Sequence, residues 1–395
     1  MTIGVKYIAY PNGTGYGLTA LAYVRALHNA GIAVWWQPWF LWGEPHLWTP
    51  ADGLRTLPLA SAAGGAARLA DLRALIDACT RPIDYDTVIC HTVPEEFARF
   101  GETGKRMLGI TVWETDALPA HWPPLLDAMR ALAVPSRMNA EVFRSGGVSR
   151  PIHVVPYIRR HAWSSAAHDK AGALRRELGI RDDHFVFYSI GAWDARKGLE
   201  ALIATFAQTF APHEPVTLLV KTSRSTGEGA FVESHARAIL EDCARSSGRP
   251  RANVVVIPAD DIGIGTIDAI HAMGDCYVSL SRGEGWGLGA FDAASLGKPV
   301  LITGWGGQLD YLGADYPGLV RYELTQVPTS WLPHATRGAP QRWAQPDLGH
   351  AATLMRSASA RDSTLFAAAA ALRESINQRF AEPVVVRQLL AAIDG

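Results

Sequence analysis

The chain has 395 residues, more than one hydrophobic core usually serves, so two domains of roughly 150 to 200 residues each are expected. Apolar residues make up 48% and charged residues 19%, and the formal charge is -1; that balance suits a globular protein and supplies no global field for nucleic acid or an acidic membrane. The four cysteines, Cys79, Cys90, Cys243 and Cys276, form no CxxC pair, which excludes a cysteine-based zinc site and a disulfide framework and suits a reducing cytoplasm.

In chain order, VKYIAY (5–10) reads as a buried strand, GTGYG (13–17) as a loop, and LTALAYVRALHNAG (18–31) as an apolar-periodic helix closed by Gly31. No basic region and long apolar core open the chain, and no run of about 18 apolar residues follows, so neither a signal peptide nor a membrane span is expected. The strand IAVWWQPWF (32–40) enters a Trp-rich stretch with Trp35, Trp36, Trp39, Trp42 and Trp48. Those rings suit core packing, stacking on a sugar, or peripheral contact at the inner face of a membrane. A helix at ARLADLRALIDAC (67–79) and strands at DTVICH, KRMLGITVWE, ALAVPS and IHVVPY complete a first series. Alternation of this kind builds a parallel sheet with helices on both faces.

From about 157 to 183 the pattern lapses into a charged and Ala-rich stretch with a helix near its end, and the linker, 161–183, is read there. A second series then runs HFVFYSIG, LEALIATFAQTF, VTLLVKT, GAFVESHARAILEDCA, ANVVVIPA, TIDAIHAMG, CYVSLS and PVLITG. The expected organisation is therefore a first doubly wound α/β domain over 1–160, a second over 184–379, and a last segment, 380–395, crossing back to the first. Ligands of such sheets sit at the carboxyl ends of strands, so a cleft between two facing domains is the expected site.

Between CYVSLS and PVLITG lies SRGEGWGLGAFDAASLGKPV (281–300), with Glu284 and Asp292 eight positions apart. A calcium loop is excluded because Trp286, Leu288, Ala290 and Phe291 fill places that need oxygen ligands. A dinucleotide fingerprint is weak, since the glycines come late in the chain with no acid at the expected distance; the strand after NGTGYG also ends in WWQPWF without an acid. A plain strand-to-helix turn remains open. The spacing places a helix from about Leu288 to Gly297, stopped by Pro299, with Asp292 in its first two turns and Glu284 in the loop before it. Gly285 and Gly287 would let backbone N–H groups approach a ligand, and the helix N-terminus suits a phosphate.

The stretch SRGEGWGLGAFDAASLGKPVLITGWGGQLDYL resembles the donor-site signature of glycosyltransferase family 4, retaining enzymes of the GT-B fold whose pattern is Glu, seven residues, Glu. SIGAWDARKGLEALIATF resembles that family's diphosphate-clamping loop, DYDTVICHTVPEEF, GITVWETDALPAHW and AVPSRMNAEVFRSGGVSRPIHVVPY resemble the acceptor-side domain of a family 4 subgroup, and RWAQPDLGHAATLMR resembles its late helix. The resemblance implies that Glu284 binds donor-sugar hydroxyls, that Asp292, one methylene shorter than the family residue, binds the ribose, and that Arg196 and Lys197 clamp the diphosphate. Where the family often has Arg after the loop's first Gly, this chain has Ala192. Gly13, Gly15, Lys221, Gly285, Trp286, Gly287 and Leu288 complete the implied donor side. His91, Trp113 and Glu114 stand on the acceptor side, Trp113 and Glu114 where many members have a histidine.

The implied activity is transfer of a sugar, without a required cofactor or metal, from a nucleotide sugar (UDP-, GDP- or TDP-linked) to a hydroxyl on a glycan, a lipid-linked sugar or a small molecule. The rival readings are a sugar-nucleotide epimerase or phosphorylase on the same fold, and a non-catalytic carbohydrate-binding protein.

Overall fold

In the computed structural model, residues 4–10, 15–39, 65–160, 165–223, 228–258, 264–329 and 340–395 are described. The chain divides into two units, one of Met1–Arg159, Gln326–Arg342 and Asn377–Gly395, the other of Arg160–Thr325 and Trp343–Ile376.

The first unit holds β1 (Gly4–Ala9), α1 (Gly15–Asn29), β2 (Ala33–Pro38), α2 (Gly65–Cys79), β3 (Thr87–His91), β4 (Arg106–Ile110), α3 (Trp122–Leu126), β5 (Ala131–Val134), α4 (Arg137–Ser145) and β6 (Ile152–Val154). Its six strands are parallel in the order β2-β1-β3-β4-β5-β6. β3 and β5 are buried at every residue, which is why they read as unbroken apolar runs rather than alternating ones. Trp36 and Trp39 are buried; Trp39 packs 4.6 Å from Tyr10, and the half-buried Trp35 lies under the Lys6 ammonium at 4.8 Å. Core packing therefore accounts for these three rings. Trp42 and Trp48 fall outside the described residues.

The second unit begins with α5 (Ser165–Glu177), which packs on α8 (Ile264–Met273). The stretch read as a linker thus supplies a helix of this unit. Then come β7 (Phe185–Ala192), α6 (Leu199–Thr209), β8 (Val216–Ser223), α7 (Gly229–Ser247), β9 (Val254–Pro258), β10 (Cys276–Ser279), α9 (Leu288–Ser295), β11 (Val300–Thr303), α10 (Leu309–Leu312) and β12 (Leu319–Val320). The parallel order is β12-β11-β10-β7-β8-β9. Chain order therefore reverses between β7 and β10, and a crevice opens outside the carboxyl ends of strands at such a point. β13 (Tyr322–Gln326), β14 (Arg342–Pro346), α11 (Leu348–Ser359), α12 (Ser363–Arg379) and α13 (Glu382–Asp394) close the chain. α13 packs on α1, β4 and β5 of the first unit. The RWAQP stretch, grouped with a helix in the sequence, is strand β14, and the helix starts at Leu348, where Asp347 caps it by accepting from the His350 N–H.

Among the described residues no helix is long and apolar enough to cross a membrane.

Candidate active site

The loops that leave β7 and β10, the two strands flanking the reversal, carry Arg196, Lys197 and Glu284, three of the residues singled out in the sequence. After β7, the Asp194 carboxylate accepts the backbone N–H of Lys197, three residues on, at 2.8 Å and folds the DARKG segment back on itself. Gly198 then takes a left-handed φ of 65° to start α6. A Cβ there would be driven into the Leu280 carbonyl, so this loop lies against the end of β10 because the residue is glycine. The Arg282 N–H donates to the Arg196 carbonyl at 2.7 Å and stitches the two loops together. The buried Ser281 hydroxyl donates to the Gly283 carbonyl at 3.1 Å.

This stitching brings Arg196, Lys197 and Glu284 together. Lys197 Nζ donates to both Glu284 oxygens, at 2.7 and 2.9 Å. Arg196 donates to the Gly283 carbonyl at 2.6 Å and stands 3.8 Å from Glu284 Oε2. Burial works to raise the Glu284 pKa, but Lys197 and Arg196 outweigh it and hold the carboxyl below its ordinary value. The backbone of Glu284 is fixed as well, since its carbonyl accepts the Gly307 N–H at 2.8 Å.

The glycine-rich stretch turns into α9 through Gly287, in the left-handed region at φ 84°, whose carbonyl accepts the Tyr311 hydroxyl at 3.2 Å. Gly285 is buried, and Gly287 and Leu288 are half-buried at the helix N-terminus, where backbone N–H groups point out of the helix. Trp286 is 2% exposed, with its ring 5.1 Å from Phe291 and 5.2 Å from Tyr311. Each such aromatic pair adds about 0.5–1.5 kcal/mol beyond area burial. Trp286 therefore anchors the loop from beneath.

Asp292 is buried on α9 and ion-paired with Arg160, which also reaches Asp268 at 3.4 Å. His271 Nε2 lies 3.9 Å from the Asp292 carboxylate. Burial raises the Asp292 pKa, with Arg160 opposing and Asp268 reinforcing the shift. Burial pushes the hydroxyl pKa values of Tyr277 and Tyr311 up, and the Glu284 and Asp292 carboxylates add to that rise. Lys221 is half-buried near the carboxyl end of β8, in register with Ile190 and Ile257.

In the first unit, His91 ends β3 and is 1% exposed, with Nδ1 hydrogen-bonded to the Tyr7 hydroxyl at 2.8 Å and its ring among Tyr7, Tyr16 and Tyr23. Burial pushes its pKa down to about 3, so this imidazole is neutral and part of the packing. Trp113 is clamped by Asn139, which accepts its backbone N–H and donates to its carbonyl, both at 2.9 Å, while the indole N–H donates to Thr115 and to the Ala117 carbonyl. Glu114 is half-buried and influences the Tyr16 hydroxyl. Gly15 is exposed at the start of α1, and Gly13 lies outside the described residues, as does most of the PADDIG loop.

Sequence reasoning missed Asp194, Ser281, Asn139 and Arg160. The Asp-x-x-x-Gly turn chemistry could have found the first. Nothing local points to Arg160, which is 132 positions from its partner. A cavity of about 530 Å³ opens beside the amino ends of β7 and β8, but its Arg356 is paired with Glu214 and its Arg361 with Asp275. Those cations are committed to structure. Among the described residues no group of three His, Cys, Asp or Glu side chains is gathered as metal ligands would be.

No protein-family model matches the chain. A stretch of 158 residues, 40% of the chain, is 24% identical to an uncharacterised glycosyltransferase of Methanocaldococcus jannaschii and spans 37% of that protein. Among solved structures, HepE of Anabaena in complex with UDP and glucose aligns over 99% of both chains with a TM-score of 0.62 at 15% identity. Sucrose-phosphate synthase of Thermosynechococcus elongatus aligns over 99% of this chain and 100% of its own, with a TM-score of 0.64 at 16% identity. At these identities the likeness shows the fold, and that fold is GT-B.

Proposed function

We propose that the protein is a retaining glycosyltransferase of the family 4 type, transferring a sugar from a nucleotide-sugar donor to a hydroxyl acceptor. The observation that carries this reading is the trio of buried Glu284 and Arg196 with half-buried Lys197, held on two stitched loops at the carboxyl ends of β7 and β10. A donor sugar offers hydroxyls and a diphosphate leaving group. A carboxylate kept ionised beside two fixed cations matches both, because the carboxylate accepts from hydroxyls and the cations meet charge as it develops on the phosphate. Support also comes from the glycosyltransferase similarity over part of the chain and from the UDP seen in the HepE structure.

In the proposed reaction the bond between the anomeric carbon and the leaving phosphate oxygen breaks, and the acceptor oxygen bonds to that carbon on the same face. The acceptor proton passes to the leaving phosphate oxygen. Arg196 and Lys197 stabilise the diphosphate, Glu284 orients the sugar, and the N-terminus of α9 adds N–H donors. Such a step needs no histidine base, which accords with the burial of His91. The acceptor is a hydroxyl on a glycan, a lipid-linked sugar or a small molecule.

The test is a thermal-shift panel of UDP, GDP, TDP and ADP with their common sugar conjugates, on wild type and Glu284→Ala. A ligand at about 100 times its Kd stabilises the fold by roughly 2.7 kcal/mol, a readable shift. One nucleotide set should raise the melting temperature, and Glu284→Ala should weaken the sugar conjugate more than the bare nucleotide. No shift with any of them overturns the reading.

A further inference from the structure

The place where the family 4 pattern puts a ribose-binding carboxylate is built differently in this chain. Asp292 and Asp268 have side chains only 6% and 7% exposed, whereas Arg160, which bridges them, is 29% exposed. Asp292 Oδ2 is taken by Arg160, and Oδ1 is buried with no hydrogen-bond partner. An acid one methylene shorter than Glu is withdrawn from the surface, and the guanidinium covers it.

We propose that Arg160, not Asp292, is the group that meets the ribose of the nucleotide, donating to a ribose hydroxyl oxygen while Asp292 and Asp268 fix its orientation. This rests on the donor reading above. A planar guanidinium held by two carboxylates loses little freedom on binding a third partner, which makes it a precise donor. Among the described residues the charges here are one cation between two carboxylates, with His271 beside them kept neutral by burial, and that is not a positive site. A neutral hydroxyl oxygen is therefore the fitting partner, and a phosphate is not. Asp292 is a positioning residue here.

The experiment is calorimetric titration of UDP, GDP and ADP, each beside its 2′,3′-dideoxy form, into wild type, Arg160→Gln, Arg160→Lys and Asp292→Asn, with melting curves to verify folding. Wild type should prefer the ribonucleotide about 10-fold, the scale of one lost hydrogen bond to a charged group. Arg160→Gln should cut that preference to about 2-fold or less, and Asp292→Asn should keep most of it, because Asp268 still holds the guanidinium. Should Arg160→Gln not fold, Arg160→Lys must lower the preference at least 3-fold, since a point charge does not reproduce the fork. An undiminished preference in the Arg160 variants, or equal loss in Asp292→Asn, overturns the proposal and leaves the donor reading intact. Wild type that binds a diphosphate without ribose preference does the same. Wild type that binds none of these, nor TDP, overturns the donor reading itself.

Discussion

Lys197 and Glu284 hold each other so closely that neither can be removed alone without consequence. With Lys197→Met the buried carboxylate keeps Arg196 at 3.8 Å and the Ser281 hydroxyl but loses its nearest cation, and its pKa should rise from its present depressed value. Breaking a buried pair from one side costs about 3–5 kcal/mol when nothing replaces the partner, so with Arg196 still present a loss of roughly 1–3 kcal/mol is expected. Glu284→Gln in the Lys197→Met background should recover part of it, because the stranded charge is then gone. Urea unfolding of the four proteins in this cycle measures the coupling, and strict additivity would show that the pair contributes nothing. Once an acceptor is known, Lys197→Met should also lower kcat/KM on the order of 100-fold, the scale of losing one group aimed at developing charge.

At the scale of elements, much was legible because parallel strands buried on both faces are continuous apolar runs, and because glycines and prolines punctuate them. The helix read from about Leu288 to Gly297 is α9, which ends at Ser295, and DARKG is the turn between β7 and α6. Short or tertiary-dependent features were not legible. β12 has two residues, and although a helix was legible near the end of the charged, Ala-rich stretch, no local pattern announces that it packs on α8. Ion pairs across long separations, such as Arg160 with Asp292, leave no spacing signal at all. Two glycines of equal backbone angle separate local strain from site geometry. Gly198 and Gly248 both have φ 65°, but a Cβ on Gly198 strikes the Leu280 carbonyl while one on Gly248 meets nothing within 4 Å. Gly248→Ala should cost about 1–2 kcal/mol, the left-handed penalty alone, and leave donor binding unchanged. Gly198→Ala should cost more and also weaken nucleotide-sugar binding, because it pushes Arg196 and Lys197 away from Glu284. Equal effects of the two substitutions on binding would mean that the close approach of the loops does not set the site.

Among the described residues each unit carries one fully buried histidine, held in the same manner. His91 in the first unit pairs through Nδ1 with the Tyr7 hydroxyl, and His271 in the second pairs through Nδ1 with the Tyr188 hydroxyl at 3.0 Å. Burial pushes the first down to about 3 and the second well below the ordinary 6.5. A folded pKa below the unfolded one means that the unfolded chain binds the proton first. Stability from this source is therefore complete above pH 6.5 and is lost as pH falls from there toward the folded value. Each histidine that stays neutral in the fold should cost about 2 kcal/mol between pH 7 and pH 5. Carboxylates held below their ordinary pKa, Glu284 and Glu102 among them, add losses only at lower pH, near and below 4.5. The pH 7 to 5 interval thus isolates the histidines. Urea unfolding at the two pH values should show both units weakened, and His91→Gln should remove the larger part of the pH dependence of the first unit's transition, His153 keeping the rest, while leaving that of the second; His271→Gln should do the reverse, with His184 keeping the rest. If His91→Gln retains the full dependence of the first unit, burial of this imidazole is not the source of its acid sensitivity, and the ring is reached by water in solution.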